Sequence, residues 1–449
     1  MHSFELDKKD VQKVKAALAE GQDAIETLLR DYHPSEIAIL FEGLEKEERE
    51  VIINLLDSAQ ASEVLSEMAE ETHPEELLLN LDPEKRTGIV EELDYDDATD
   101  LISQLDKEEQ NEILDELNEE DASHIRSLLN YPEDTAGGLM NTRVIKIPAV
   151  LYKKDAIDEI IRQSEDMEEF YTVYVVDQKD IFQGIVSLKD IIKSRPEARI
   201  ADLVVKDAVF VHHDTDQEEV ARLISQYNLS SIPVVDQHMK LLGRVTFDDV
   251  IDVLEEENTE DILKISGVSE DEELSGNWKE AVKSRLPWLV INLGTAFLAS
   301  SVVRYFEPTI ARIAVLSAYM TIIAGMGGNA ATQALAVTVR RISLYDLTDN
   351  QAYRTVLKEF TVGLINGAVT GLIVFLFALF FDMNTMLGVV IFLAMTGNLI
   401  IAGVTGAGIP LVLKRVGIDP AIASSIIITT FTDVFGFLFL LGLASQLLL

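Results

Sequence analysis

The chain of 449 residues contains no cysteine, so no disulfide framework holds it and no thiolate awaits a soft metal or a covalent step. Histidine is scarce: all seven lie within the first 240 positions, without metal-ligand spacing. No nucleophile, base and acid recur at catalytic spacing, so an enzyme is not expected. No GxxxxGK(S/T) phosphate loop appears, which removes the usual nucleotide-driven engine. Bases are in deficit, 37 Lys and Arg against 77 Asp and Glu, for a net charge of −40. Such a surface repels nucleic acid and anionic lipid, so neither is an expected partner, and it attracts cations. The stretch "MHSFELDKKD" lacks an apolar core segment, so no secretory signal is expected and residues 1–284 are assigned to the cytoplasm.

The acidity is uneven. Residues 1–284 hold 70 of the acids and 28 of the bases, whereas the chain from Arg285 onward holds 7 and 9. Beyond "KSRLPW" come five long apolar segments, 286–306, 310–339, 355–381, 385–413 and 420–446. Each reaches the ~20 residues needed to cross ~30 Å of hydrocarbon. With a cytoplasmic N-terminus, the inner flanks collect Lys279, Lys283, Arg285, Arg340, Arg341, Arg354, Lys358, Lys414 and Arg415, and the outer flanks only Arg304 and Arg312. That bias predicts five spans with the C-terminus outside the cell membrane.

Small residues recur in these spans, as in "GLINGAVTG" and "TGNLIIAGVTGAG", and close helix packing explains most of them. "GMGGN" is denser. Gly325, Gly327 and Gly328 weaken a helix and free backbone carbonyls, and Asn329 adds an amide. Free carbonyls at membrane depth need protein or water beside them, so Gly325, Gly328 and Asn329 are expected to line a pore. Asp433 lies about 13 residues into the last span, where a lone carboxylate costs ~2.5–3.5 kcal/mol on insertion scales. It is either a protonated structural group held by Thr429, Thr430 and Thr432, or a carboxylate facing water and cations. No base lies at similar depth, which favours the second. Oxygen-only ligands suit a hard cation, and Mg²⁺ keeps most of its water, so one or two carboxylates suffice. A twofold axis supplies two from one Asp per chain, hence an expected homodimer.

Two repeats organise the soluble part. Leucines at 81, 93, 105, 117 and 129 keep a period of 12, and the four units they bound each carry a turn, an acidic helix start and an apolar pair. The period predicts short helices stacked in a right-handed superhelix. Asp96 and Asp100 share a helix face, four residues apart. Further on, "VVDQKDIFQGIVSLKDII" (175–192) matches "VVDQHMKLLGRVTFDDVI" (234–251) at an offset of 59. Each copy reads strand, turn, strand, capped helix, and resembles the CBS domain, a paired α/β module that often binds adenine nucleotides. The resemblance carries a ribose-binding role to Ser187, Asp190, Thr246 and Asp249, the same residues that cap a helix without any ligand. After this pair, 246–268 reads as one long helix with acids at 248, 249, 252, 255, 256, 257, 260 and 261. Crowded like charges disfavour it unless counter-cations gather there, which makes a ligand-biased two-state element.

The order of these parts, with "YPEDTAGGLM" (131–140), "GMGGNAATQ" (325–333) and "TDVFGF" (432–437), resembles the bacterial MgtE magnesium channel family. The resemblance implies an α-helical superhelical N-domain (1–131), CBS domains (132–200 and 201–252), a connecting plug helix (246–268) and a five-helix all-α transmembrane domain (269–449). It further implies a homodimeric Mg²⁺ channel with Asp433 in the pore beside a glycine-rich kink, closed by intracellular Mg²⁺. The regulatory ligands it implies are Asp96, Asp100, Asp249, Asp252, Glu257, Glu260, Asp261 and Asp419, with Glu63 a further candidate, and ATP is a candidate ligand of the CBS pair. A secondary transporter coupled to H⁺ or Na⁺ and a membrane-anchored cation sensor are the alternatives.

Overall fold

The computed structural model describes residues 8–69, 72–164, 170–269, 278–345, 347–423 and 425–449. The start of the chain, on which the reading of a missing signal rests, lies outside them. The described chain forms two compact units, meeting in sequence between Leu254 and Glu255.

The first unit begins with ten short helices: α1 (Lys8–Glu20), α2 (Gln22–Leu29), α3 (Pro34–Phe41), α4 (Lys46–Leu55), α5 (Ser58–Ser66), α6 (Pro74–Leu79), α7 (Pro83–Glu92), α8 (Tyr95–Ser103), α9 (Lys107–Glu116) and α10 (Glu119–Leu128). The 12-residue period is visible in their boundaries. Leu81, Leu93, Leu105 and Leu117 are buried, and the next residue, Asp82, Asp94, Asp106 or Asn118, is the N-cap of α7 to α10. Asp106 accepts from the backbone N–H of Glu108 and Glu109, satisfying donors the first turn leaves open. Each apolar pair (Ile89 and Val90, Leu101 and Ile102, Ile113 and Leu114) is buried. Helices pack on their next-but-one neighbours, α3 on α5, α5 on α7, α7 on α9, α6 on α8 and α8 on α10. That stacking buries a face that no single ten-residue helix could hide alone.

Two sheets follow. In the first, β1 (Lys146–Pro148) runs parallel to β2 (Thr172–Val176), which pairs antiparallel with β3 (Phe182–Ser187). In the second, β4 (Val211–His212), β5 (Ser231–Val235) and β6 (Leu241–Thr246) repeat the arrangement. The offset of 59 holds down to the irregularities. Both hairpins bulge at the equivalent place, Val175/Val176 and Val234/Val235, and both turns place one residue at positive φ, Asp180 and Met239. Asp177 and Asp236 each tie their turn through two backbone N–H groups. The copies meet at those turns, where Phe182 N–H donates to Met239 O and Leu241 N–H to Asp180 O. Helices α11 (Lys153–Gln163), α12 (Leu188–Lys193) and α13 (Gln217–Tyr227) complete this pair, and α14 (Phe247–Ser266) leaves β6 directly. Gly267, at φ 76, closes α14, with Val268 N–H returning to Leu263 O.

The second unit is helical. After α15 (Trp278–Tyr305) and the short α16 (Glu307–Arg312) come α17 (Leu316–Leu344), α18 (Asp349–Phe381), α19 (Thr385–Arg415) and α20 (Ser425–Leu447). Five of these (α15, α17, α18, α19, α20) are long and apolar enough to cross a membrane. Helix α19 is the hub, packing on α17, α18 and α20, and α15 rests on α20. Glycines at 363, 367 and 371 set α18 onto it. A Cβ at Gly367 would stand 2.8 Å from Thr396 Cα, and one at Gly371 3.1 Å from Phe392 O. Backbone-to-backbone approach of this kind is how small residues join helices where water gives no hydrophobic drive.

Candidate functional site

Helix α17 corrects one expectation. It runs unbroken through Gly325, Gly327 and Gly328, so these glycines free no helix-interior carbonyls by a kink. For Gly327 and Gly328 the role is steric. Gly327 lies where a Cβ would sit 3.1 Å from Thr432 Cβ, and Gly328 where it would meet Thr429 Cγ2 at 3.2 Å, whereas Gly325 faces open space. This helix packs on α19 and α20.

These contacts also fix the register of α17 on α20. Gly327 lies against Thr432, and Ile323 lies against Gly436. Between those pairs, Asp433 stands level with Gly325 and Met326. The exposed residues of α17 include a small and polar stripe, Ser317, Thr321, Gly325 and Asn329, at spacing four, beside the exposed Ala318 and Ile322. Small and polar side chains on that stripe are the wrong surface for acyl chains and the right one for water. Asp433 is half-buried. Its threonine neighbours do not hold it: Thr429 and Thr430 donate to Ile426 O, and Thr432 donates to Thr429 O. Among the described residues no ion pair engages its carboxylate.

A second acidic group lies in this unit where α14 meets the turn before α20. Lys264 of α14 pairs with Glu260 one turn earlier and, at 2.8 Å, with Asp419. Asp419 also accepts from Ala421 N–H at 2.8 Å, capping the turn Pro420–Ile422. Arg340 donates to Asn258 at 2.6 Å and Ser343 to Asp261 at 3.2 Å. Burial raises the pKa of Asp261, the Ser343 hydrogen bond opposes this, and the charge of Asp419 adds to it. Asp419 and Glu260 thus meet a protein ammonium where a cation was expected. Glu257 is half-buried on the same helix.

The third group belongs to the first unit. Asp96, 7% exposed, accepts from Asn141 Nδ2 at 3.1 Å. Asp249 accepts from Thr246 N–H at 3.0 Å and from its hydroxyl. Burial first, then the charge of Asp249, pushes the Asp96 carboxyl well above the ordinary range. The same two causes bring Asp97 up to about 7. Asp249 is itself raised by burial, against the Thr246 hydrogen bonds, with Asp248 and Asp252 adding like charge. Asp97 and Asp248 were not singled out in the sequence, where nothing distinguishes them within their acidic runs. Asp100 and Asp252 are exposed nearby in sequence, and Glu63 is exposed on α5 outside this group. Among the described residues no three His, Asp or Glu side chains stand close enough to hold a metal ion as placed. The carboxylates converge without coordination geometry, and they repel.

The two ribose-type pairs differ. Thr246 and Asp249 are closed on each other, whereas Ser187 is the N-cap of α12 without a side-chain cap bond and Asp190 is exposed.

A paired α/β module joined by an acidic helix to a bundle of membrane-length helices defines a membrane transport protein. It is not an enzyme. Residues 320–443 match the family described as "Divalent cation transporter", 32–134 the "MgtE intracellular N domain", and 136–197 and 200–256 the "CBS domain". The chain is 33% identical over 448 residues to the magnesium transporter MgtE of Thermus thermophilus, covering 99% of both. Against that of Bacillus subtilis it is 31% identical over 93% of both, and against that of Enterococcus faecalis 37% over 72% of this chain and 71% of the relative. The crystal structure of the cytosolic domain of the Mg²⁺ channel MgtE in complex with ATP matches 54% of this chain and 99% of its own, at 36% identity and a TM-score of 0.52. The chain belongs to the MgtE transporter family.

Proposed function

We propose that this protein is a homodimeric Mg²⁺ channel of the cell membrane, with its N-terminal domains in the cytoplasm, its C-terminus outside, and its conduction path along the twofold axis. One observation carries the reading. Among the described residues Asp433 meets no protein counter-charge at mid-span, and it stands level with the small and polar stripe of α17. Two such carboxylates across an axis suit a cation that keeps its inner water shell, since Mg²⁺ dehydrates reluctantly. The driving force needs no coupled ion, because a charge of two across 100 mV gains ~4.6 kcal/mol inward. Relatives named magnesium transporters, similar over nearly the whole chain, support the choice of ion.

Feedback follows from the acids. When Mg²⁺ is scarce, Asp96, Asp97 and Asp249 repel, and the acidic faces part. When it is plentiful, Mg²⁺ binds between the carboxylates of the N-domain, Asp249, Asp252 and the acids of α14, and holds the closed state. Asp100, Glu257, Glu260, Asp261 and Asp419 are the further ligands of this reading, and Glu63 the outermost. ATP binds at the first CBS copy through Ser187 and Asp190, the pair left open here. The Thr246–Asp249 pair serves the metal instead. The ATP complex of a related cytosolic domain supports ATP as a ligand of this part of the chain.

Replacing Asp433 by Ala in full-length protein reconstituted into liposomes should abolish or strongly reduce Mg²⁺ influx with the protein still inserted. Influx at the wild-type rate would refute the pore assignment, and influx that demands a H⁺ or Na⁺ gradient would establish a coupled carrier instead.

A further inference from the structure

The Asn398 side chain is shared by three membrane-length helices at the depth of Asp433. It lies on α19 with no exposed surface. Its Nδ2 donates to Ile323 O of α17 at 3.0 Å. The same nitrogen occupies the space above Gly327 of α17 and above Gly436 of α20, where a Cβ would come within 2.8 Å of it. The amide is therefore a wedge between two glycines on two different helices. Its Oδ1 is buried without a hydrogen-bond partner. An unpaired acceptor inside a membrane bundle is costly, and a leucine would avoid that cost. The site keeps an amide regardless, so its shape and its donor matter there.

What the wedge controls follows from the register. Gly327 and Gly436 flank the level of Asp433, with Thr432 also against Gly327. Helix α17 carries one wall of the proposed path and α20 carries the carboxylate. With no side chain on either glycine, α17 and α20 approach directly, Gly327 on Thr432 and Ile323 on Gly436, and the Asn398 amide is seated against both glycines. We propose that Asn398 is a positioning residue that sets the width of the ion path at Asp433, and so discriminates a compact hydrated cation from a larger, more easily dehydrated one. It touches no ion itself. This rests on Asp433 being the pore carboxylate.

The test is the bi-ionic reversal potential of the reconstituted full-length protein, with Mg²⁺ on one side and Ca²⁺ on the other. Asn398→Ala should still conduct while its Mg²⁺-over-Ca²⁺ permeability ratio falls by about tenfold, within the usual range for coupled neighbours. Gly327→Ala in the Asn398→Ala background fills the vacated space and should recover part of that ratio, a rescue that mere stabilisation of the bundle would not produce. If Asn398→Ala does not accumulate in the membrane, Asn398→Ser keeps a donor on a shorter side chain and is judged by the same ratio. A ratio unchanged from wild type, with Asp433→Ala silent, overturns the role of Asn398 alone. An Asp433→Ala protein that still conducts overturns the pore reading beneath it.

Discussion

At the scale of single residues, the cations deserve as much notice as the acids. Lys264 lies between Glu260 and Asp419, so an internal ammonium competes with Mg²⁺ for a carboxylate that the gating proposal needs. Removing it as Lys264→Gln should therefore strengthen closure. The Mg²⁺ concentration giving half-inhibition of influx should fall about two- to fivefold, as expected for a partly exposed pair worth about 0.5–1 kcal/mol. A rise would show that Lys264 only anchors the helix. Asp433 itself was legible in the sequence, since one acid in an apolar run of that length is conspicuous. Lys264 was not legible as its partner: Asp419 is 155 positions away, and no local pattern reports such a contact. Asn398 was hidden for the same reason, being one amide in a glycine-rich span whose importance lies in what it touches.

At the scale of elements, periodicity carried far. The 12-residue leucines fall on the N-cap boundaries of α7 to α10, and the offset of 59 extends to matching bulges. Glycine was the harder residue to read. "GMGGN" pointed to a kink, yet α17 is regular, because a helix hydrogen-bonded along its length and packed on α19 and α20 outweighs the low propensity of glycine. In α18 the glycines are contact points, so Gly367→Leu should force α18 off α19. Overpacking of this kind costs about 1–3 kcal/mol, and detergent-solubilised protein should unfold at a lower temperature, with Gly367→Ala intermediate. An unshifted transition would mean the α18–α19 seam is not tight.

The acidic face of α8 and α14 makes a pH prediction. Asp97 titrates near 7 when folded, raised by burial and by Asp249, against about 4 when unfolded. The folded state therefore binds more protons between those values, so metal-free stability of this face is highest below pH 4. It declines as pH rises through 4 to 7. Hydrogen exchange of α8 in full-length, metal-free protein should accelerate across that window beyond its intrinsic pH dependence, and Mg²⁺ should reverse the effect. Protection that instead grows with pH would remove the repulsive contact from the gating scheme.

At the scale of the whole molecule, the charge divide governs. Residues 1–284 hold 70 acids against 28 bases, and the remainder is near neutral, so repulsion is confined to that part of the chain. Neutralising Asp249, Asp252 and Glu257 together should remove both the repulsion and the metal sites, leaving the channel conducting at millimolar internal Mg²⁺. Closure as in the wild type would detach gating from these acids. The membrane half was readable as five spans from length and loop charge alone. How its helices pair was not, because in lipid every apolar face is equally satisfied and small contacts decide.

Unitary currents from inside-out patches, recorded while Mg²⁺ on the cytoplasmic face is stepped, address ion conduction and feedback in one preparation. The wild type should show discrete Mg²⁺ currents whose open probability falls as internal Mg²⁺ rises, and Asp433→Ala should show none. Currents of undiminished amplitude in Asp433→Ala, or no unitary currents in a wild type that still transports, would contradict a channel built on that carboxylate.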